Sequence, residues 1–451
     1  MTAPHVLPWL CGAALTLAAC ASPTVSTPTT RTQDADPAAG TTPATGAPPF
    51  SPEAFLGPVP GLGAEDQAIH ARTGKRVALL LPLSGPQSTT GQDLLDAAQM
   101  ALFDLAGEDF VLLLHDTRGT TEGAAVAAEE ALDEGASLIV GPLLASSVAA
   151  VAPEARRRDV PVLAFSNNRA VAGDGVFVMG FLPHAQVDRV VAYARSQGLT
   201  RFAALAPNDV YGTTMVDALE QATTASASII EDVALYDPGS AQVQDVVRRF
   251  ADYDARRQAL LTQQQALEGR NDPISRQALA RLEGRETLGE PGFDAVLVPA
   301  GGDEVLQLAP LMAFYDIDPG RVRLLGTWLW DDPALGKEPS LVGAWFAAPP
   351  PQNREQFVTR FEEAYGHAPD RRATLAYDAI ALAAVLARQT GAEAPFGIQN
   401  LTTPNGFEGM DGIFRLLPTG EVERGLAVLE IRRDGPRELD PAPDSFTVAI
   451  N

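Results

Sequence analysis

Arg76-Val77-Ala78-Leu79-Leu80-Leu81-Pro82-Leu83-Ser84-Gly85 opens the ordered part of a 451-residue chain. Residues 77–81 form an unbroken apolar run, which suits a strand buried on both faces of a parallel sheet, and Pro82 through Pro86 end it. Downstream, Leu94, Leu95, Ala98, Ala101, Leu102 and Leu105 recur at helical spacing and predict a helix over about 92–105. The unit repeats, with strands expected at 110–114, 137–140 and 160–165 and helices at 121–134 and 147–158. Strands alternating with single helices imply right-handed βαβ crossovers and a parallel sheet, whose ligand crevice lies at the carboxyl ends of the strands.

A second series begins at Arg201, with strands at 202–206 and 229–235, a helix at 211–224 and a long helix opening at 242–250. The fold class is therefore α/β, with two doubly wound parallel-sheet lobes around a central crevice. Residues 252–292, rich in Arg, Gln, Glu and Ala with Leu260, Leu261, Leu267, Leu279 and Leu282, read as a helical insertion in the second lobe, turned at Asn271-Asp272-Pro273. It serves either as a helix pair packed on its own lobe or as a partner-docking surface. Further units follow as strands at 295–299 and 322–326 and helices at 304–315, 353–365 and 373–390. Near the C-terminus, 409–416 and 426–431 predict a hairpin with Pro418-Thr419-Gly420 near its turn.

Composition narrows the function. With 33 Lys+Arg against 57 Asp+Glu the formal charge is -24, which repels phosphate backbones and argues against nucleic acid. His5, His70, His115, His184 and His367 show no metal-ligand spacing, and no nucleophile elbow or phosphate loop is present. Asp116, at a strand end, reads as a turn residue. No enzyme activity, metal or cofactor is expected.

Residues 7–19 are mostly apolar and too short to span a bilayer, as in a signal peptide, and they lead into Leu17-Ala18-Ala19-Cys20, which resembles a bacterial lipobox. The resemblance implies acylation of Cys20, and Ala21 in place of Asp implies the periplasmic side of the outer membrane. Cys11 would be removed with the signal peptide, so the mature body has no thiol for a disulfide. Residues 21–74, dominated in their first part by Thr, Pro, Ala, Ser and Gly, read as a tether. A relaxed coil of about 40 residues spans about 35 Å. The expected order is signal peptide 1–20, tether 21–74, first lobe 75–182, second lobe 183–345, return to the first lobe 346–395, and return to the second lobe with C-terminal strands 396–451.

The opening run with Gly91-Gln92-Asp93, then Ile139-Val140-Gly141-Pro142, residues 160–166, Asp209-Val210-Tyr211-Gly212 and Ala376-Tyr377-Asp378-Ala379, resembles type I periplasmic binding proteins of the leucine/isoleucine/valine-binding kind over roughly 75–431. The lipobox and tether, the insertion, and Leu325-Gly326-Thr327-Trp328-Leu329-Trp330-Asp331 before Gly343-Ala344-Trp345-Phe346 are similar to penicillin-binding-protein activator lipoproteins. That narrower likeness implies a non-enzymatic outer-membrane lipoprotein that stimulates a bifunctional penicillin-binding protein, a peptidoglycan synthase, by contact. The alternative is a substrate-binding lipoprotein of an ABC transporter or a sensor for amino acids. The binding-protein likeness implies candidate ligand residues Ser146, Ser147, Ser166, Asn167 and Asn168 on the first lobe and Tyr211, Gly301, Gly302, Asp303, Trp328 and Asp331 on the second, with Asp303 able to receive an ammonium group. Ser and Asn after strands are equally the residues of turns and helix caps, and the tryptophans equally suit buried packing.

Overall fold

The computed structural model describes residues 75–270, 272–389 and 394–446. The lipobox with Cys20, the tether 21–74 and Asn271 lie outside the described residues.

The first sheet is all parallel, in the order β2-β1-β3-β4-β5, with β1 (Lys75–Leu81), β2 (Phe110–Asp116), β3 (Leu138–Val140), β4 (Val162–Ala164) and β5 (Val176–Val178). The two-residue period of a strand explains the unbroken opening run. Val77, Leu79 and Leu81 join Leu94, Ala98 and Ala101 of α1 (Ser88–Leu105) in one core. Ala78 and Leu80 join Ala124 and Ala128 of α2 (Thr121–Asp133) and Val148 and Val151 of α3 (Ala145–Arg157) in a core on the opposite face. β5 and the next helix, α4 (Pro183–Ser196), were not anticipated, although Val187, Val190, Val191 and Ala194 carry a helical period and are buried.

The second sheet has five parallel strands, β6 (Arg201–Pro207), β7 (Ile229–Tyr236), β8 (Ala295–Leu297), β9 (Arg323–Gly326) and β10 (Trp345–Ala348). α4 and α5 (Val210–Ala225) cover one face. α6 (Val243–Phe250) and the later helix Gly302–Phe314 cover the other. The expected long helix at 242 is broken at Asp252, whose φ of 48 is left-handed, and resumes as α7 (Tyr253–Glu268). α7 and α8 (Pro273–Leu282) form the insertion; the Asp272 side chain caps α8 by accepting from Ser275 N–H at 2.9 Å. Buried Arg256 pins the foot of this arm, donating to the carbonyls of Ala251 and Tyr315 and pairing with Asp316 at 3.1 Å.

The chain re-enters the first lobe only after Ala348, because β10 still belongs to the second sheet. With α9 as Gly302–Phe314, α10 (Pro351–Tyr365) and α11 (Ala373–Ala387) then pack on the first core, and α11 lies against α1. Residues 396–424 stay there too, contrary to their expected return to the second lobe. Phe396, Leu401, Phe414, Leu416 and Val422 fill the same core. β11 (Phe407–Gly409), β12 (Gly412–Leu416) and β13 (Val422–Arg424) form a small antiparallel sheet. The hairpin partner of 412–416 is therefore 422–424, reached through a turn in which Gly420 donates to the Leu417 carbonyl at 2.8 Å. The run at 426–431 goes elsewhere. As β14 (Ala427–Glu430) it pairs antiparallel with β10, and β15 (Arg437–Asp440) closes that edge. The lobes are thus joined at 179–182, 349–350 and 425–426.

Candidate functional site

Between the lobes lies a cavity of about 600 Å³, lined from the first lobe by Leu143, Leu144, Ala145, Phe165, Ser166, Asn167, Gly180, Phe181, Asp370, Arg371, Arg372 and Leu375, and from the second by Tyr211, Trp328 and Leu329. Most of these residues follow strand ends, as the crevice rule requires. Gly180 lets the β4 and β5 loops meet, since a Cβ there would stand 2.7 Å from the Ser166 carbonyl oxygen and 2.8 Å from Asn167 N. The wall and floor are largely aromatic, with Phe181 and Trp328 stacked at 4.8 Å between centroids.

Of the candidate residues, Ser166, Asn167, Tyr211 and Trp328 come together here. The Tyr211 hydroxyl donates to Thr327 Oγ1 at 3.4 Å, and burial holds its phenol above the ordinary value. Asp331 lies beneath, where it holds Arg371 rather than lining the space. The others point away. α3 begins at Ala145, so Ser147 is buried against the Thr120 carbonyl at 3.4 Å and Ser146 faces solvent. The Asn168 side chain accepts from Ala170 N–H at 2.9 Å and caps a short turn. Gly301 packs on Leu329, while Gly302 and Asp303, in the first turn of α9, are exposed and outside the cavity lining. Trp330 is a core residue whose indole donates to the Ala300 carbonyl at 2.7 Å. Asp116 staples the β1 and β2 ends by accepting from Leu83 N–H, Ser84 hydroxyl and Arg118 N–H; burial alone would raise its carboxyl, but these bonds hold it below the ordinary value.

Arg371 is the polar centre of the floor. Its Nε donates to Asp331 of the second lobe at 3.2 Å and its Nη1 to Asp411 of the first at 2.9 Å, so one guanidinium bridges the lobes. Its Nη2 is buried and has no hydrogen-bond partner in the protein, and the same holds for Trp328 Nε1. Leaving such a donor unpaired costs about 1–3 kcal/mol. Arg354 supports Asp331 from α10 at 3.4 Å. Deeper still, Arg424 donates through Nε and Nη2 to the Met179 carbonyl, tying the third lobe crossing to the first. Its Nη1 stands 3.9 Å from Asp378 Oδ2, and both atoms lack partners. Burial, with Asp411 beside it, pushes the Asp378 carboxyl up to about 7, and burial holds Arg424 below the ordinary arginine value. Both guanidiniums, Arg371 at 5.2 Å and Arg424 at 5.0 Å, lie over the ring of Phe181.

Sequence reasoning missed Asp370-Arg371-Arg372. The signal was available: two arginines directly before the apolar helix α11 oppose its dipole, a cost that a purely structural helix start avoids. Among the described residues no group of three or more His, Cys, Asp or Glu is arranged to hold a metal, and no helix is long and apolar enough to cross a membrane.

Residues 75–436 match the family model for periplasmic binding proteins. An uncharacterized protein of Rickettsia prowazekii (strain Madrid E) is 25% identical over 186 residues, which is 41% of this chain and 49% of that protein, so the match spans about half of the relative's length. The leucine binding protein LivK of Thermotoga maritima MSB8 shares the fold with a TM-score of 0.54 at 19% identity, over 82% of this chain and 99% of that one. A solute binding protein of an ABC transporter from R. palustris, solved in complex with benzoate, does so with a TM-score of 0.57 at 16% identity, over 82% and 97%. The chain belongs to the periplasmic binding protein family, a family of non-enzymatic, periplasmic proteins that bind small ligands. These likenesses do not reach the narrower group of penicillin-binding-protein activators.

Proposed function

We propose that this protein captures a small organic ligand in the crevice between its lobes, as the substrate-binding component of a transporter or as a sensor, and releases it without chemical change. The observation that carries the reading is an apolar cavity of about 600 Å³ that draws walls from both lobes and has Arg371 in its lining. A vestigial crevice would be filled by side chains, and its floor would need no guanidinium. Because Arg371 also bridges the lobes, a ligand seated on it gains most when they are closed, which is the differential affinity that drives hinge closure. In this reading the substrate-binding role takes precedence over activation of a penicillin-binding protein. Lipid attachment at Cys20 remains its proposed anchor.

Thermal unfolding against amino acids, organic acids and peptidoglycan fragments tests this. Ligand at about 100 times its dissociation constant adds about 2.7 kcal/mol, a rise of about 5–11 °C for lobes of this size. A shift with one chemical class is expected. A flat response across the panel would sink the capture reading and return attention to the activator role.

A further inference from the structure

Asp378, in the second turn of α11, and Arg424, at the end of β13, face each other beneath the crevice with no bond between them. The Asp378 side chain is fully enclosed and that of Arg424 is 3% exposed, and Asp378 Oδ2 and Arg424 Nη1 stand 3.9 Å apart without hydrogen-bond partners in the protein. An ionised carboxylate draws a buried guanidinium to about 2.7–2.9 Å, so the wider spacing is that of a neutral carboxyl. Asp378 finds little compensation elsewhere. Its Oδ1 accepts from Met410 N–H at 2.7 Å, and Gly409 closes the side of Oδ2, where a Cβ would stand 2.5 Å away.

The charged groups that face the pair come from three places. Arg424 is on β13, Asp411 is in the turn between β11 and β12, and Arg371 precedes α11, with Asp331 and Arg354 on its far side. Asp411 is committed to Arg371 and to the Thr374 hydroxyl at 2.5 Å, so it sets a negative charge beside Asp378. Those surroundings keep the Asp378 proton in place up to about 7.

The other nitrogens of Arg424 reach the crevice. Nε and Nη2 hold the Met179 carbonyl at 3.3 and 2.8 Å, where the chain first leaves the first lobe. The guanidinium lies 5.0 Å from the ring of Phe181, which stacks at 4.8 Å on the cavity-lining Trp328.

We infer that Asp378 and Arg424 are positioning residues for the crevice: with a proton on Asp378, Arg424 holds the first lobe crossing through Met179, and when that proton leaves to solvent the carboxylate draws the guanidinium off the crossing and moves the wall of Phe181 and Trp328. The inference adds proton control to the capture reading and rests on it for the role of that wall. Its test uses no ligand, so the two fail separately.

The full chain is titrated from about pH 5.5 to about 8.5 and read in parallel by infrared difference spectroscopy, which sees the carbonyl stretch of a protonated carboxyl, and by tryptophan emission. The infrared band that Asp378→Asn removes should be present at the acid end and disappear with a midpoint of about 7. Emission should change with the same midpoint in the parent and stay level in Asp378→Asn and in Trp328→Phe. His184, in the first turn of α4 and 3.5 Å from Glu421 of the first lobe, is a second titratable group at this crossing, and His184→Gln should leave the response in place. Arg424→Lys, which keeps the charge without the fork to Met179, should retain the infrared step and abolish the emission step. Emission that stays flat while Asp378 titrates, an emission step that survives Asp378→Asn, or an Asp378 that does not titrate in this range would each overturn the inference.

Discussion

The sheets of the two lobes and the floor of the crevice are both buried, yet they are built on opposite terms. In the sheets every strand residue of β1 from Val77 to Leu81 is apolar and fully enclosed, and neighbouring strands satisfy its backbone. On the floor, Arg371, Arg424, Asp378 and Asp411 are packed among Phe181, Trp328 and Phe414. Trp328, Arg371, Asp378 and Arg424 each leave a buried polar atom unpaired there; the other such atom among the described residues is His115 Nε2. A fold that needed only stability would fill that place with apolar side chains at little or no cost. The difference teaches that the sheets position the crevice, while the charged floor beneath it is what the capture reading takes as the site.

Substitutions in the two regions should therefore fail in different ways. Arg371→Ala strands Asp331 and Asp411 without a shared cation; chemical denaturation should record a loss of about 3–5 kcal/mol, and ligand binding should vanish. Leu79→Ala, in the first sheet, should cost about 2–5 kcal/mol by cavity formation while leaving ligand affinity unchanged. A drop in affinity comparable to that of the arginine variant would erase the distinction between scaffold and site.

A subtler effect is expected in the pH profile. Asp378 holds its proton up to about 7 in the folded protein, whereas an unfolded aspartate releases it near about 3.9. The native state thus binds the extra proton across that window, so this group's contribution is fully present below about 4 and is lost as the pH rises to about 7. Asp378→Asn should flatten that part of the stability profile and leave the more alkaline part parallel to the parent. Smallest of all, Ile274→Ser on the exposed face of α8 should stay within about 0.5 kcal/mol and leave affinity untouched. A large loss there would reveal a packing role for the insertion.

What could be read from the sequence follows the same division. The β1 run, the α1 stripe and the order of βαβ units were legible because burial on both sheet faces leaves a continuous apolar signature. The hairpin at 412–424 was paired with the wrong run because 426–431 is just as apolar; its two faces are buried in the second lobe instead. Of the candidates named for their places after strands, Ser166, Asn167, Tyr211 and Trp328 line the cavity, while Ser146, Ser147 and Asn168 share that placement and serve a helix start or a turn. Arg371 escaped notice because its partners, Asp331 and Asp411, lie 40 residues to either side, a separation over which local pattern says nothing.

The central claim is that ligand sits against Trp328 at the lobe interface, and tryptophan emission tests it most directly. The chain has four tryptophans, of which Trp328 lines the crevice and Trp330 and Trp345 are buried in lobe cores. Titrating a ligand that stabilises the protein should change the emission, and the change should disappear in Trp328→Phe while weaker binding persists by calorimetry. A change of the same size in that variant would contradict the account and put the ligand elsewhere.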